Sequence, residues 1–222
     1  MEFALPTGAV FRVRGAAGAP DVALFLPGGF PRPPEARWGA TTHLLARRVA
    51  RALPGVRTVE LRFRWASWST VEACFVDTAE MLDRLADDGA TRVLLVGFSM
   101  GGAVAGHAAA HPLVAGVVGV APWLPATAPI ENLRGRTLRA YHGGFDTDRF
   151  GLPGVPASES RAAVARARLL GIDAEHHTLP GAFHGAALGV GQVLMPLPRA
   201  AAWTRAVTGE IARFHRPDGA NS

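Results

Sequence analysis

Six consecutive residues, Gly97-Phe98-Ser99-Met100-Gly101-Gly102, have the types and spacing that nucleophilic chemistry needs. They follow an apolar run at 92–96 and precede an alanine-rich helical pattern at 103–110. That order predicts a strand, a sharp turn and a helix, with a serine at the turn. A serine so placed sits in a strained backbone conformation with its hydroxyl exposed. Gly97 and Gly101, two residues away on either side, leave the room such a turn requires. The helix beginning just after Ser99 aims free N–H groups at the same spot, where an oxyanion would form.

A serine hydroxyl is a poor nucleophile until a base takes its proton. Two later segments supply partners. The run 137–141 leads into His142-Gly143-Gly144-Phe145-Asp146, and the run 174–179 leads into Pro180-Gly181-Ala182-Phe183-His184-Gly185. Each reads as a strand ending in a glycine-containing loop, with Asp146 or His184 just past its tip. In an open α/β sheet, ligands bind outside the carboxyl ends of the strands. Nucleophile, acid and base are all expected there. Asp148 is the alternative acid; motif spacing favours Asp146.

The segments GFSMGG, YHGGFD and LPGAFHG resemble those of small, lidless α/β-hydrolases of the dienelactone-hydrolase and carboxylesterase kind. Matching elements spread from Leu24 to His184. The resemblance implies an α/β fold with a mostly parallel central sheet, helices on both faces and no large cap domain. It also implies a triad in the chain order Ser, Asp, His. Position by position, Ser99 matches the nucleophile, Asp146 the acid of H-G-x-x-D, and His184 the base of G-x-x-H-G. Leu26-Pro27-Gly28-Gly29-Phe30 matches the loop holding the first oxyanion donor. Pro27 departs from the pattern, standing where many relatives have histidine, but the glycines are kept.

By this resemblance His184 takes the Ser99 proton and returns it to the leaving group, while Asp146 orients the imidazole. The backbone N–H of Met100 and that of Gly29 or Phe30 bind the oxyanion. The implied activity is hydrolysis of an ester, thioester or lactone of a small to medium molecule through an acyl-enzyme. Acyl transfer, elimination and cofactor-free perhydrolysis use the same triad, and fold alone does not choose among them. A non-catalytic binding protein on this fold is the reading from another class; such proteins usually lose a triad member, and all three candidates are present.

The elements that must position these residues follow from periodicity. Strands are expected at 10–13, 22–26, 57–63 and 114–120, besides those before Ser99, Asp146 and His184. Helices are expected at 36–53, stopped by Pro54-Gly55, and at 69–85, with apolar residues at helical spacing. Ser69 and Glu72 form a capping-box pattern. Further helices are expected at 158–170, closed by Gly171, and at 199–214. Strands alternating with helices predict a mostly parallel sheet covered on both faces. The chain reads as one domain over 1–222, with 216–222 a frayed tail.

Composition excludes several classes. Hydrophobic residues make up 49% of the chain, enough for a buried sheet, and no apolar run is long enough for a membrane span. The N-terminus lacks a secretory pattern, which predicts a cytoplasmic protein. Cys74 is the sole cysteine, so no internal disulfide can form; it reads as a core thiol on a helix face. The net charge is +5 and every basic residue is arginine. The arginines are scattered without a long basic block, so no nucleic-acid partner is expected. The expected partner is the small-molecule substrate, and the expected state is a monomer or homodimer.

No metal or cofactor is expected either. His176 and His177 are adjacent on a strand and point to opposite faces. His107 and His111 share a helix face, but Pro112 places His111 at the helix end, in a surface or capping role. His142 reads as a loop-packing or strand-end residue rather than a base.

The pocket is the least legible part. Residues 121–135 are too few for a cap domain, so loops are expected to roof the site. Phe30, Trp65, Trp68 and Trp123 fall near strand ends and suit an apolar or aromatic acyl group, or else pack under loops. Arg62 and Arg64 meet a substrate carboxylate or merely flank a strand. Residues 185–198 read as a mobile apolar wall.

Overall fold

The computed structural model describes residues 2–29, 37–146, 154–190 and 193–215. Ten strands and five α-helices run through them. The order is β1 (Glu2–Ala4), β2 (Val10–Gly15), β3 (Asp21–Leu26), α1 (Ala40–Ala52), β4 (Arg57–Arg62), α2 (Val71–Asp87), β5 (Arg92–Phe98) and α3 (Met100–Ala108). Then come β6 (Val114–Val120), β7 (Thr137–Gly143), α4 (Ala157–Leu169), β8 (Asp173–Leu179), β9 (Ala187–Val190), β10 (Val193–Pro196) and α5 (Ala200–His215). Eight strands form one sheet in the order β1-β2-β4-β3-β5-β6-β7-β8. The pairs β1/β2 and β2/β4 are antiparallel, and the rest of the sheet is parallel.

The central strands carry continuous apolar sequence because both of their faces are covered. In β3, Val22, Leu24 and Leu26 point one way and Ala23 and Phe25 the other, and all five are buried. On the first face they pack with Leu82 and Leu85 of α2, Val104 of α3 and Val164 of α4. On the second they pack with Leu45 and Val49 of α1 and Trp203, Val207 and Ile211 of α5. The sheet is thus clamped between two helical layers, and its strand ends are fixed relative to one another.

One expectation needs correction, and one segment gains definition. The capping box at Ser69 does not form. A 3-10 turn at Trp68–Thr70 precedes α2 and moves its start two residues on, so Ser69 lies inside that turn; Ser67 caps it instead, accepting the Ser69 N–H. The stretch read as a mobile wall contains the antiparallel hairpin β9/β10. Its first strand is tied to α1, where Thr41 Oγ1 donates to Ala187 O at 3.2 Å. Val193 and Met195 of the second strand are exposed. Between β6 and β7 there is only a 3-10 turn at Ile130–Leu133, so there is no large cap. The proposed tail at 216–222 lies outside the described residues.

Candidate active site

Ser99 stands between the last residue of β5 and the first of α3, with φ 53° and ψ −120°. That is left-handed backbone for a non-glycine residue, at a cost of about 1–3 kcal/mol. The surroundings hold it there. Its N–H donates to Val120 O at 3.1 Å, and its carbonyl accepts from Gly102 N at 2.8 Å and Trp123 N at 2.9 Å. The flanking glycines are needed for close approach. A Cβ on Gly97 would lie 2.3 Å from Gly101 O, and one on Gly101 would lie 2.4 Å from Leu26 O. Backbone cannot yield as a flexible side chain can, so both positions exclude any larger residue. Ser99 as a whole residue is only 6% exposed.

The loops after β7 and β8 are sewn together. Gly144 N donates to Leu179 O at 2.8 Å and Phe145 N to Ala182 O at 2.9 Å. This brings Asp146 and His184 into contact: His184 Nδ1 lies 3.0 Å from Asp146 Oδ1 and 2.9 Å from Oδ2. The Asp146 side chain is fully buried, and its Oδ1 also accepts from Val155 N at 3.2 Å. Taking a carboxylate out of water is costly without such partners. The His184 ring leans on Phe98, the neighbour of Ser99, with centroids 5.1 Å apart. Asp148, the alternative acid, lies outside the described residues.

The loop after β3 runs along the turn. A Cβ on Gly28 would lie 3.2 Å from the Ser99 Cβ, and one on Gly29 would lie 2.4 Å from the Met100 Sδ. Gly29 and Met100 are therefore in contact beside Ser99. Met100 is the first residue of α3, so its N–H has no intrahelical acceptor. Phe30, the other oxyanion and pocket candidate, lies outside the described residues.

The pocket candidates separate. Trp123, whose backbone is tied to Ser99, meets Trp68 edge to face with centroids 4.6 Å apart. These two rings form one aromatic corner beside the turn. Trp65 is 52% exposed, and its carbonyl accepts the Cys74 thiol at 3.2 Å. Arg64 is anchored to α2. Its Nε lies 2.8 Å from Oδ1 of the buried Asp77, and its N–H donates to Oδ2 at 3.0 Å. Arg62 shares the ring of Trp38 with Arg12, whose guanidinium sits 3.9 Å from the ring centroid. Cys74 is a core thiol, and burial pushes its pKa up to about 12.

The remaining histidines divide as the strand and helix patterns require. His176 reaches α4 at Ser160 and His177 stacks on Tyr141, on opposite faces of β8. His107 stacks on Phe75, and His111 pairs with Asp83 and accepts Leu113 N. Among the described residues no three of His, Cys, Asp and Glu gather as a metal site.

Sequence reading missed Thr41. Its Oγ1 accepts from Ala186 N at 3.1 Å and Ala187 N at 3.3 Å, just past His184. No local signal marks it, because the contact spans 145 positions. Two surface cavities, of about 220 and 410 Å³, lie away from Ser99, one under α5 and one between α2 and α3.

A model of the Alpha/beta hydrolase family matches residues 18–218, and the chain belongs to that family. No curated protein shows significant similarity to it by sequence. Among solved structures it is similar to MGS-M1, an alpha/beta hydrolase enzyme from a Medee basin deep-sea metagenome library. There the TM-score is 0.70 and identity 17%, over 96% of this chain and 97% of that one. It is also similar to a sugar hydrolase, YeeB, from Lactococcus lactis, with TM-score 0.69 and 16% identity over 96% and 97% of the two chains. The thermophilic esterase Est2 from the Planctomycetes species Thermogutta terrifontis matches with TM-score 0.65 and 15% identity, over 97% and 91%. Among the described residues no helix is long and apolar enough to cross a membrane.

Proposed function

We propose that the protein is a serine esterase with Ser99 as nucleophile, His184 as base and Asp146 as acid, cleaving an ester, thioester or lactone of a small to medium molecule. The observation that carries this is the contact of His184 Nδ1 with both oxygens of the buried Asp146, on the loop that leans against the Ser99 turn. With Nδ1 bound to the carboxylate, Nε2 is the nitrogen left to take the serine proton. Ser99 Oγ attacks the acyl carbon, and His184 then passes the proton to the leaving alcohol, thiol or lactone oxygen. The developing oxyanion is held by the N–H groups of Met100 and Gly29, each worth roughly 10²–10³ in turnover. Water activated by His184 resolves the acyl-enzyme.

The absence of a large cap and the Trp68–Trp123 corner support an accessible site for an apolar or aromatic acyl group, as in the dienelactone-hydrolase and carboxylesterase kind. The structural relative from Thermogutta terrifontis has been seen phosphorylated by paraoxon, which suits a serine nucleophile. The test is hydrolysis of p-nitrophenyl acetate, butyrate and octanoate by wild type and Ser99→Ala, with fluorophosphonate labelling alongside. Turnover and labelling both lost in Ser99→Ala support the reading, and the chain-length preference sizes the pocket. Labelling without turnover points to transfer or elimination on the same triad. Neither in wild type points to a binding protein.

A further inference from the structure

His142 is the penultimate residue of β7, on the side facing α4, with no solvent exposure. Its Nδ1 lies 3.0 Å from Ser160 Oγ in α4. That hydroxyl in turn lies 3.1 Å from His176 Nε2 on β8 and 3.2 Å from Ala157 O. The other ring nitrogen, Nε2, is buried without a hydrogen-bond partner among the described residues. It lies 3.8 Å from Asp146 Oδ2, and both side chains are fully buried. Asp146 thus has an imidazole on each side: His184 toward Ser99 and His142 behind.

The tautomer of His142 follows from the charges around it. Burial pushes its pKa down to about 4, so the ring is neutral and carries one N–H. If that proton sat on Nδ1, the Nε2 lone pair would face a carboxylate at 3.8 Å with no solvent to separate them. In a buried site such a contact of like polarity is unfavourable. With the proton on Nε2, the N–H dipole aims at the carboxylate. Nδ1 then accepts the Ser160 hydroxyl at 3.0 Å, its proton shared with the more distant Ala157 O at 3.2 Å, and His176 Nε2–H donates to Ser160 Oγ.

We propose that His142 is a positioning residue for the acid: its Nε2–H restrains the back of the Asp146 carboxylate, and Ser160 and His176 fix the tautomer that allows it. The contact is longer than a hydrogen bond. It acts as an oriented charge–dipole restraint that limits rotation of the carboxylate and keeps its oxygens on His184 Nδ1. This rests on the reading of Asp146 as the triad acid. The titratable and charged groups bearing on His142 are Asp146, His176, His184 and Arg161.

The test compares wild type, His142→Phe, His142→Gln and Ser160→Ala. It reads kcat, KM and the pH profile of kcat/KM on p-nitrophenyl butyrate, with thermal melts. The rate of fluorophosphonate labelling at Ser99 gives the same comparison if ester turnover is slow. His142→Phe is expected to lower kcat about tenfold to a hundredfold with KM within about twofold, the effect of a misplaced catalytic group. A carboxylate free to rotate off Nδ1 stabilises the His184 imidazolium less, so the acid limb moves to lower pH. Glutamine carries an N–H to the same place and restores most of kcat; Ser160→Ala gives a smaller loss in the same direction.

Unchanged rates and acid limb in His142→Phe overturn the proposal. So do equal losses in the Phe and Gln variants that follow the melting temperature with no movement of the limb. Should His142→Phe fail to fold, Ser160→Ala decides by the same two readouts. Failure of the underlying triad reading looks different: Asp146→Asn would then keep wild-type turnover.

Discussion

Thr41 accepts the Ala186 N–H at 3.1 Å, joining the first turn of α1 to the backbone two residues past His184. The same hydroxyl accepts Ala187 N and donates to Ala187 O, so one buried side chain satisfies three backbone contacts. Thr41→Val keeps the shape and removes the hydroxyl. It leaves two buried N–H groups unpaired, for a loss of about 1–3 kcal/mol in urea unfolding. Thr41→Ser should recover most of it. A valine variant as stable as wild type would show that the clamp contributes nothing.

Asp146 and Asp148 are separable by the same substitution. Asp146→Asn is expected to reduce kcat by roughly 10⁴, because the amide favours the wrong imidazole tautomer. Asp148→Asn should stay within a few-fold of wild type in the same steady-state assay. The reverse pattern would move the acid to Asp148.

Gly101 packs on the backbone of the loop after β3. Gly101→Ala places a methyl 2.4 Å from Leu26 O and 2.7 Å from Pro27 O. The expected result is a loss of about 2–4 kcal/mol, in the range of overpacking and strain, together with lost fluorophosphonate labelling. A variant that folds and labels at the wild-type rate would mean the turn tolerates more displacement than its geometry suggests.

Arg64 is expected to matter for stability rather than for substrate choice. Asp77 is fully buried beside it, and burial is the main cause raising the Asp77 pKa. Arg64→Ala leaves that carboxylate without its cation. Because the arginine is 31% exposed, the loss is held to about 1–3 kcal/mol rather than the full cost of breaking a buried pair. KM for neutral and carboxylate-bearing esters should change in parallel. A selective rise for the anionic ester would return Arg64 to the pocket.

Stability should fall on mild acidification through His142. Burial is the leading cause that lowers its pKa from 6.5 to about 4. The unfolded chain therefore binds a proton that the folded protein refuses. Stability is full above pH 6.5, declines below it, and the decline levels off near the folded value. At about 1.4 kcal/mol per unit the window spans roughly 3 kcal/mol. Urea unfolding at several pH values should show a steeper slope in wild type than in His142→Phe. Equal slopes would mean that His142 does not carry the effect.

How far the sequence alone reached can be judged residue by residue. The Ser99 turn was legible because it is local: a buried strand, two glycines and a helix start within about a dozen positions. The order of the α/β elements was legible for the same reason, since apolar periodicity and helix stops act over one element at a time. Ser69 misled because a 3-10 turn at Trp68–Thr70, capped by Ser67, displaced the start of α2. The pairing of Arg64 with Asp77 was not legible because strand position does not reveal a buried carboxylate on a neighbouring helix.

What the sequence by itself determined is the class of fold and the strand ends at which Ser99, Asp146 and His184 emerge. Hydrophobic patterning and glycine placement are short-range properties and suffice for that. The tertiary structure alone decided which groups meet once the strands align. It brought His184 onto Asp146 across 38 positions, Thr41 onto the chain past His184 across 145, and His142 to the back of the acid through Ser160. Those contacts depend on parallel register and on helices crossing the sheet, and neither leaves a mark in the spacing of residues along the chain.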